Sequence, residues 1–214
     1  NGTGTLVLEG TNSYTGNSEV NAGTLQANSA GALGNASSDI IVNGGSLLVT
    51  ADDAINGRDV TLAKTATGNA SVAGLAFSGT YNGTAGALTL SENSTIDLGT
   101  GSVVIHFASI ANLTTYTLNI FNWSGDSVWS GSPGGGTDQF YIDQNLSSTQ
   151  LANINFYSGT ETSSFLSTGF QIIGGSFDQE IIAVPEPETY AAGVALLAGL
   201  GWHLLRTRRR RAAA

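Results

Sequence analysis

Short runs of aliphatic and β-branched residues, separated by turn signals, make up residues 1–115. The turns include the pairs Asn43-Gly44, Asn56-Gly57 and Asn82-Gly83. Apolar positions in this region do not recur with the 3.6-residue period of a helix. The pattern therefore predicts β-strands at Thr5–Leu8, Gly23–Gln26, Ile40–Val42, Gly45–Val49, Val60–Leu62, Ala87–Leu90, Thr95–Leu98 and Val103–Phe107.

A Gly-(Thr/Ser/Ala)-Leu element recurs along these runs, at Gly4-Thr5-Leu6, Gly23-Thr24-Leu25, Gly45-Ser46-Leu47 and Gly86-Ala87-Leu88. Its copies lie 19, 22 and 41 residues apart, and the last spacing is close to two steps of about 20, a period typical of one coil of a β-solenoid. In stacked coils, glycines would lie at the corners, where asparagine side chains could also form ladders. One interior column would then contain Leu6, Leu8, Leu25 and Leu47. An antiparallel sandwich made of the same strands is the alternative.

Residues 2–34 read GTGTLVLEGTNSYTGNSEVNAGTLQANSAGALG and resemble the autotransporter-associated β-strand repeat. The turn Asn12-Ser13-Tyr14-Thr15-Gly16 and the run Val20-Asn21-Ala22-Gly23-Thr24-Leu25 carry the resemblance. One full copy is present, and later segments follow it loosely. The resemblance implies a right-handed parallel β-helix of the kind found in large surface proteins.

Residues 116–183 are richer in aromatic side chains, and they predict a β cap that closes the open end of the solenoid. Within this region, residues 131–136 form a Gly-rich loop in the prediction. Strands are expected at Thr117–Trp123, Gln139–Asp143, Asn153–Tyr157 and Phe170–Ile173, with a helical turn at Ser147–Ala152.

An uncharged segment, residues 189–205, follows near the C-terminus. As a helix its 17 residues would be about 25 Å long, which is near the lower limit for crossing a bilayer. We predict a transmembrane helix, with a buried amphipathic helix as the alternative. Because flanking arginines stay on the cytoplasmic side, the basic tail 206–214 predicts an N-out, C-in topology. Its arginines are Arg206, Arg208, Arg209, Arg210 and Arg211.

A Val184-Pro185-Glu186-Pro187 motif within residues 184–188 precedes this helix. Motif, short helix and terminal arginines together resemble the PEP-CTERM sorting signal of Gram-negative bacteria. The resemblance implies export, transient anchoring in the inner membrane, cleavage near Pro185 by an exosortase, and a final place on the cell surface or outside the cell. Export also requires a leader, and we expect that one was removed from, or left out of, this sequence.

Charge is divided unevenly, because residues 1–205 hold only Arg58 and Lys64 against all 16 acidic residues. Such an acidic body excludes binding to nucleic acid through charge. Cysteine is absent, so disulfides and thiolate chemistry are excluded as well. Stability must then come from packing and backbone pairing.

Polysaccharide lyases and hydrolases also use β-helices, and their chemistry needs carboxylates beside a cation. The candidates are Asp52, Asp53, Arg58, Asp59 and Lys64, which a solvated corner loop explains equally well. His106 faces away from Val103, Ile105 and Phe107 and has no second histidine at metal-ligand spacing. We expect no catalytic residues.

Residues 134–138 resemble a Gly-Asp calcium turn, with Asp126 and Asp143 as helpers, although a plain loop fits them too. Trp123 and Trp129 are candidates for stacking on sugar rings or for packing inside the cap. We expect no cofactor, with calcium as the alternative. The sequence thus predicts an exported, non-enzymatic structural or adhesive protein that meets an exosortase as its substrate and an extracellular polysaccharide as its ligand. A carbohydrate-binding or carbohydrate-active module is the alternative.

Overall fold

The computed structural model describes residues 2–35, 37–64, 69–125, 136–172 and 179–183. Nearly all regular structure there is β-strand, which confirms the predicted all-β class. The strands are β1 (Thr5–Leu8), β2 (Ser18–Val20), β3 (Thr24–Ala27), β4 (Ile40–Val42), β5 (Ser46–Val49), β6 (Val60–Leu62), β7 (Leu75–Phe77), β8 (Tyr81–Leu90), β9 (Ser94–Asp97), β10 (Val103–Ala111), β11 (Leu118–Phe121), β12 (Gln139–Ile142), β13 (Ile154–Tyr157), β14 (Phe165–Gln171) and β15 (Glu180–Ala183). One short helix, α1 (Ser148–Leu151), and 3₁₀ turns at Ala70–Val72 and Thr162–Ser164 complete the inventory of these residues.

All fifteen strands belong to one sheet, in the order β1-β3-β5-β7-β9-β11-β13-β14-β15-β12-β10-β8-β6-β4-β2. From β1 to β11, each strand pairs in parallel with the strand two positions further along the chain. The strands β1 to β13 with odd numbers form what we call the odd ladder, and β2 to β12 with even numbers form the even ladder. Parallel pairing excludes the antiparallel sandwich for this part of the chain.

Leucines of the repeated element form an aligned column in the odd ladder. Leu6 lies opposite Leu25, and Leu25 lies opposite Leu47, as predicted. Leu8 was wrongly assigned to this column, because it lies opposite Ala27 two residues along the strand. Side chains alternate between the two faces of a strand, so residues two apart share a face but stack on different neighbours.

The fourth copy of the element, at Gly86-Ala87-Leu88, does not continue this column. Leu88 lies in the even ladder, opposite Val60 and Ile110, whereas Leu75 follows Leu47 in the odd ladder. The step from Leu47 to Leu75 is long because the chain between β6 and β7 makes an excursion, in which the Ala70 amide donates to the Thr160 carbonyl over 2.9 Å. The prediction of two equal steps was therefore wrong, as was the turn at Asn82-Gly83, which lies inside β8.

The hydrophobic core contains side chains from both ladders in one cluster, so it lies between them. Early strands contribute aliphatic residues such as Val42 and Leu62, while later strands contribute Phe107 and Phe156. At one corner the Asn43 side-chain amide donates to the Asn21 side-chain oxygen over 2.8 Å, which confirms the predicted asparagine ladder. These stacked polar contacts keep successive turns in register.

Antiparallel strands close one end of the two ladders. β14 pairs with β13, β15 pairs with β12, and β14 and β15 pair with each other. Gln171 of β14 fixes this closure, since its side chain accepts from the Leu146 amide and donates to the carbonyls of Ile142 and Gln144. The predicted helical turn is confirmed as α1, which Ser147 caps.

Several predicted features lie outside the described residues. They are the sorting motif at 184–188, the uncharged segment 189–205, the arginine tail, Asp126, Trp129 and most of the Gly-rich loop. Within the described part of the chain, every helix is too short or too polar to span a membrane.

Candidate functional site

The acidic residues proposed for catalysis lie in the connection from β5 to β6 and bind backbone groups. The Asp52 carboxylate accepts from the Asn82 amide over 3.0 Å, and the Asp59 carboxylate accepts from the Ala87 amide over 2.7 Å. Both carboxylates thus attach this connection to the neighbouring β8. The structure does not join them into a group around a cation.

Arg58, in the same connection, is 2% exposed. Its guanidinium donates to the carbonyls of Ala54 and Ile55, over 3.3 and 2.8 Å. It also donates to the carbonyls of Gly34 and Asn35 in the preceding connection. Burial lowers the pKa of Arg58, but an arginine keeps its charge in a protein. Arg58 therefore links the connection from β5 to β6 with the connection from β3 to β4.

Lys64, the other basic residue of the body, donates to the Ser46 hydroxyl over 3.1 Å. Burial lowers the pKa of Lys64 as well. Arg58 and Lys64 thus serve different contacts, and of the predicted acidic residues Asp53 lies near enough to Arg58 to favour its charged form.

Asp138, the candidate calcium ligand, is 1% exposed and has both oxygens engaged. One oxygen accepts from the Val103 amide over 3.0 Å, and the other accepts from the amide and hydroxyl of Ser124. These donors present protons to the carboxylate, whereas a metal ion needs its lone pairs. Within the described ranges, we find no three acidic or histidine side chains grouped closely enough to hold a metal ion.

His106 faces outward from the even ladder, as predicted, and stacks on Tyr141. The two rings are 4.0 Å apart and 5° from parallel. Asp143 lies 3.7 Å from the histidine Nδ1. Burial, together with the nearby Glu180 carboxylate, raises the pKa of Tyr141 to about 12. The sequence did not reveal this stack, because parallel pairing joins residues 35 positions apart and leaves no local pattern.

Trp123 is 3% exposed and packs edge-on against Phe156, with ring centres 4.6 Å apart. This position supports the packing role considered for it and leaves little of its ring surface accessible to a sugar. A second aromatic contact, between Phe121 and Tyr157, lies on the opposite face of the same strands, where the rings stack at 4.3 Å. Late strands are thus lined with aromatic residues on both faces.

β1 and β2 lie at the end of the ladders opposite the antiparallel strands, and they are the two outermost described strands of the sheet order. Leu6 is 61% exposed and Val7 is 43% exposed, although Leu47 in the same column as Leu6 is fully buried. A shallow cleft of about 280 Å³ is bordered by residues in and beside both strands, including Thr5, Leu6 and Glu19.

Comparisons with known proteins find two likenesses. Residues 1–27 match the family model described as the passenger-associated-transport-repeat. A stretch of 59 residues, 28% of this chain, is 48% identical to the adhesin BmaC autotransporter of Brucella suis biovar 1 (strain 1330). That stretch covers 2% of the adhesin, so the chain spans a small fraction of that protein's length. No solved structure matches the chain. The predicted resemblance to the autotransporter-associated repeat is thereby supported.

Proposed function

We propose that this chain is an exported, non-enzymatic structural or adhesive protein of the cell surface. The observation that carries the proposal is the match of residues 1–27 to a repeat of autotransporter passengers, joined to a relative that is named an adhesin. The two parallel ladders support it, because they extend the matched segment into a long, regular body. Such a body presents large outer surfaces rather than one deep pocket.

The fold that we propose is a parallel β-helix, in which each coil adds one strand to the odd ladder and one to the even ladder. Register steps of 19 and 22 residues between β1, β3 and β5 support this arrangement. Strands joined in parallel through a crossover are nearly always connected with a right-handed turn, which gives the proposed hand. β14 and β15 then form the cap of the last coil.

The absence of catalysis is part of the proposal. Its support is that Asp52, Asp59 and Asp138 accept hydrogen bonds from backbone amides, and that Arg58 donates to four carbonyls. A general acid or base must reach a substrate proton, and a carboxylate that is fixed in a turn by backbone donors is poorly placed to do so. The acidic residues then act as structural links.

Attachment of producing cells tests the adhesive role. Cells that lack the chain should attach to glass and to each other several-fold less than wild-type cells, and the intact gene should restore attachment. Unchanged attachment would contradict the proposal.

A second experiment tests the carbohydrate-active alternative. The purified chain is incubated with extracellular polysaccharide, and bound sugar and released reducing ends are measured. Release of reducing ends that Asp52→Asn abolishes would instead establish the carbohydrate-active alternative.

The proposed route to the surface uses the C-terminal signal. Val184, Pro185, Glu186 and Pro187 would be presented to an exosortase, while residues 189–205 hold the chain transiently in the inner membrane with the arginine tail inside. The uncharged segment followed by Arg206 and Arg208–Arg211 supports this topology. Proline disfavours helical backbone at its own position and at the residue before it, which supports access to the motif.

Intact mass of the protein from membrane, envelope and medium fractions tests the route. Wild-type chain outside the membrane should end near Pro185, and a chain with Pro185→Ala and Pro187→Ala should keep its full mass in the membrane fraction. If Arg211 remains on the wild-type protein outside the inner membrane, exosortase processing is wrong.

A further inference from the structure

Two connections that lie far apart in the sequence meet in the structure. One is the second half of the connection from β6 to β7, and the other is the connection from β13 to β14. The Ala70 amide donates to the Thr160 carbonyl over 2.9 Å, and Asn69 forms an antiparallel bridge with Glu161. We call residues 69–74 and residues 158–161 together the clasp. Because β9 and β11 lie between β7 and β13 in the sheet order, the clasp joins parts of the ladder that are not neighbours.

The first half of the clasp is held on the odd ladder by backbone and hydroxyl groups. The Gly74 amide donates to the Thr95 carbonyl of β9 over 3.0 Å, and the Gly74 carbonyl accepts from the Leu47 amide of β5 over 2.8 Å. The Ser46 hydroxyl donates to the Ala73 carbonyl over 2.7 Å. This half is therefore fixed to β5 and β9 by contacts of its own.

The second half of the clasp is fixed to later strands. The Asn122 amide, directly after β11, donates to the Gly159 carbonyl over 3.1 Å. Ser164 holds the same turn, because its carbonyl accepts from the Ser158 amide and its hydroxyl oxygen accepts from the Gly159 amide, each over 3.0 Å. Since each half has a defined position, little further conformational entropy is lost where the two halves meet.

The clasp covers the outer face of the odd ladder at β9 and β11. Thr95 and Phe121 are fully buried, although each is next in sequence to an isoleucine of the core and so points to the outer face. Ala70 forms an apolar cluster with Phe121 and Tyr157 that is separate from the main core. Opening the clasp would therefore uncover these aromatic rings as well as break the backbone contact to Thr160.

The clasp adds a contact that a simple stack of coils lacks. In such a stack each coil contacts only its neighbours, so one region can open while another stays closed. We propose that the clasp removes this independence and makes the strands from β7 to β13 open as one unit. Strands β7, β9, β11 and β13 form a closed circuit of contacts with the clasp, and neither β7 nor β13 can separate without breaking it. This coupling is independent of what the protein binds, so the adhesive role would stand without it.

Native-state hydrogen exchange of the full chain tests the coupling, in a mild nonionic detergent and at low urea concentrations. In the wild type, amides of Leu75–Phe77 in β7 and of Ile154–Tyr157 in β13 should exchange with the same free energy of opening. Ala70→Pro removes the amide that donates to Thr160. It should speed exchange in β7 about tenfold or more, and it should separate the values for the two strands.

Proline fits the backbone at position 70, so this variant should fold. Ala70 is the first residue of its 3₁₀ turn, where proline is well tolerated, and Asn69 before it is extended, with φ of −163° and ψ of 169°. Ser148→Pro is the matched control, because Ser148 is the first residue of α1 and also follows an extended residue. It leaves the clasp intact, so β7 and β13 should keep one common value.

A disulfide across the clasp supplies a second readout, since the chain has no cysteine of its own. Asn69→Cys combined with Glu161→Cys places two thiols on bridge partners, whose Cα atoms lie within the reach of a disulfide. Relative to the reduced form of the same variant, the oxidised form should slow exchange in β7 and in β13 by a similar factor, about tenfold or more. Exchange in β1 should not change.

Three outcomes would overturn the proposal. They are opening free energies of β7 and β13 that differ in the wild type, an effect of Ala70→Pro no larger than that of Ser148→Pro, and a disulfide that slows exchange only in the residues beside it. In each case the clasp would be a local contact between coils that open independently. If Ala70→Pro does not fold, the oxidised and reduced forms of the cysteine variant decide the question.

Discussion

Arg58 illustrates how one side chain can replace several backbone partners. Its guanidinium donates to four backbone carbonyls in two connections, and two of these carbonyls, those of Ile55 and Asn35, also accept from backbone amides. The sequence drew attention to Arg58 as a catalytic cation because it lies among three aspartates. The position of Arg58 in the sequence could not reveal that its side chain points inward. The burial of this side chain depends on the connection from β3 to β4, where its partner Asn35 lies 23 residues earlier in the chain.

Replacement of Arg58 should therefore destabilise the fold. Arg58→Met keeps the apolar stem but removes the side-chain donors to four carbonyls, of which those of Ile55 and Asn35 still accept from backbone amides. The loss should lower the free energy of unfolding by about 2–4 kcal/mol. Lys64→Met, which removes a single contact to a hydroxyl, should cost less than about 1 kcal/mol. Urea unfolding followed by circular dichroism compares the two. Equal losses in both variants would show that the carbonyl contacts of Arg58 are not the cause.

Tyr141 should make stability depend on alkaline pH. The pKa of Tyr141 is raised to about 12, so the folded chain holds this proton more tightly than the unfolded chain does. Its contribution is complete below pH about 10, the ordinary tyrosine value, and is lost as the pH rises towards 12. The free energy of unfolding should fall in this window by up to about 1.4 kcal/mol per pH unit for this group.

A Tyr141→Phe variant checks this dependence, because it keeps the ring on His106 but has no proton to release. Its unfolding free energy should fall less steeply between pH 10 and 12 than that of the wild type. Absorbance of tyrosinate at 295 nm, recorded on the folded protein, should lose one late-titrating group in the variant. An identical slope in both proteins would rule out Tyr141 as the source.

At the element scale, β1, β4 and β6 have the predicted bounds. β2, β7 and β15 were missed, and Ser18–Val20 contains a single apolar residue. β2 forms through pairing with β4, β7 through pairing with β5 and β9, and β15 through pairing with β12 and β14. Pairing with neighbouring strands thus determines where a strand forms when local sequence propensity does not.

The glycine of the repeated element has a role that depends on its place in the stack. At Gly23 the backbone has φ of 69°, and a methyl group there would overlap the carbonyl oxygens of Gly2 and Gly4. At Gly4, the same position of the first copy, nothing lies within 4 Å. Stacking, rather than the motif itself, therefore creates the requirement for glycine.

The matched pair Gly23→Ala and Gly4→Ala tests this explanation. Gly23→Ala should lower the free energy of unfolding by about 2–4 kcal/mol through strain and overlap. Gly4→Ala should change it by no more than about 1 kcal/mol, because the space is open. Thermal unfolding of both variants provides the comparison. A cost at Gly4 as large as that at Gly23 would show that an intrinsic property of the motif is responsible.

At the scale of the whole molecule, strand pairing changes along the chain, and the sequence anticipated this only in outline. Aromatic enrichment after residue 115 predicted a cap, and the structure shows β14 and β15 joining the two ladders by antiparallel pairing. The parallel ladders nevertheless continue through β11, β12 and β13, beyond the point where the composition changes. Which strands pair in parallel could not be deduced from composition, because register depends on excursions such as the one before β7.

Local stability should follow a gradient along the described strands. Among them β1 pairs with β3 alone and its Leu6 is largely exposed, whereas β9 and β11 have neighbours on both sides and fully buried core residues. Amide hydrogens of Leu6 and Leu8 should therefore exchange about 100-fold faster or more than those of Ile96 and Ile120. Native-state hydrogen exchange followed by mass spectrometry measures this. Uniform protection across the strands would contradict the gradient.

The antiparallel strands β14 and β15 also affect how the molecule would respond to a pulling force. If tension is applied at β1 and at the strands of the cap, the strands should peel away from β1 onwards, because the force acts on that strand directly. Each turn that peels away frees 19 or 22 residues in the first two steps, or about 70 Å of slack chain. A molecule built in this way would lengthen in stages under load while the strands near β14 and β15 stay folded. A brief force would then be dissipated before those strands unfold.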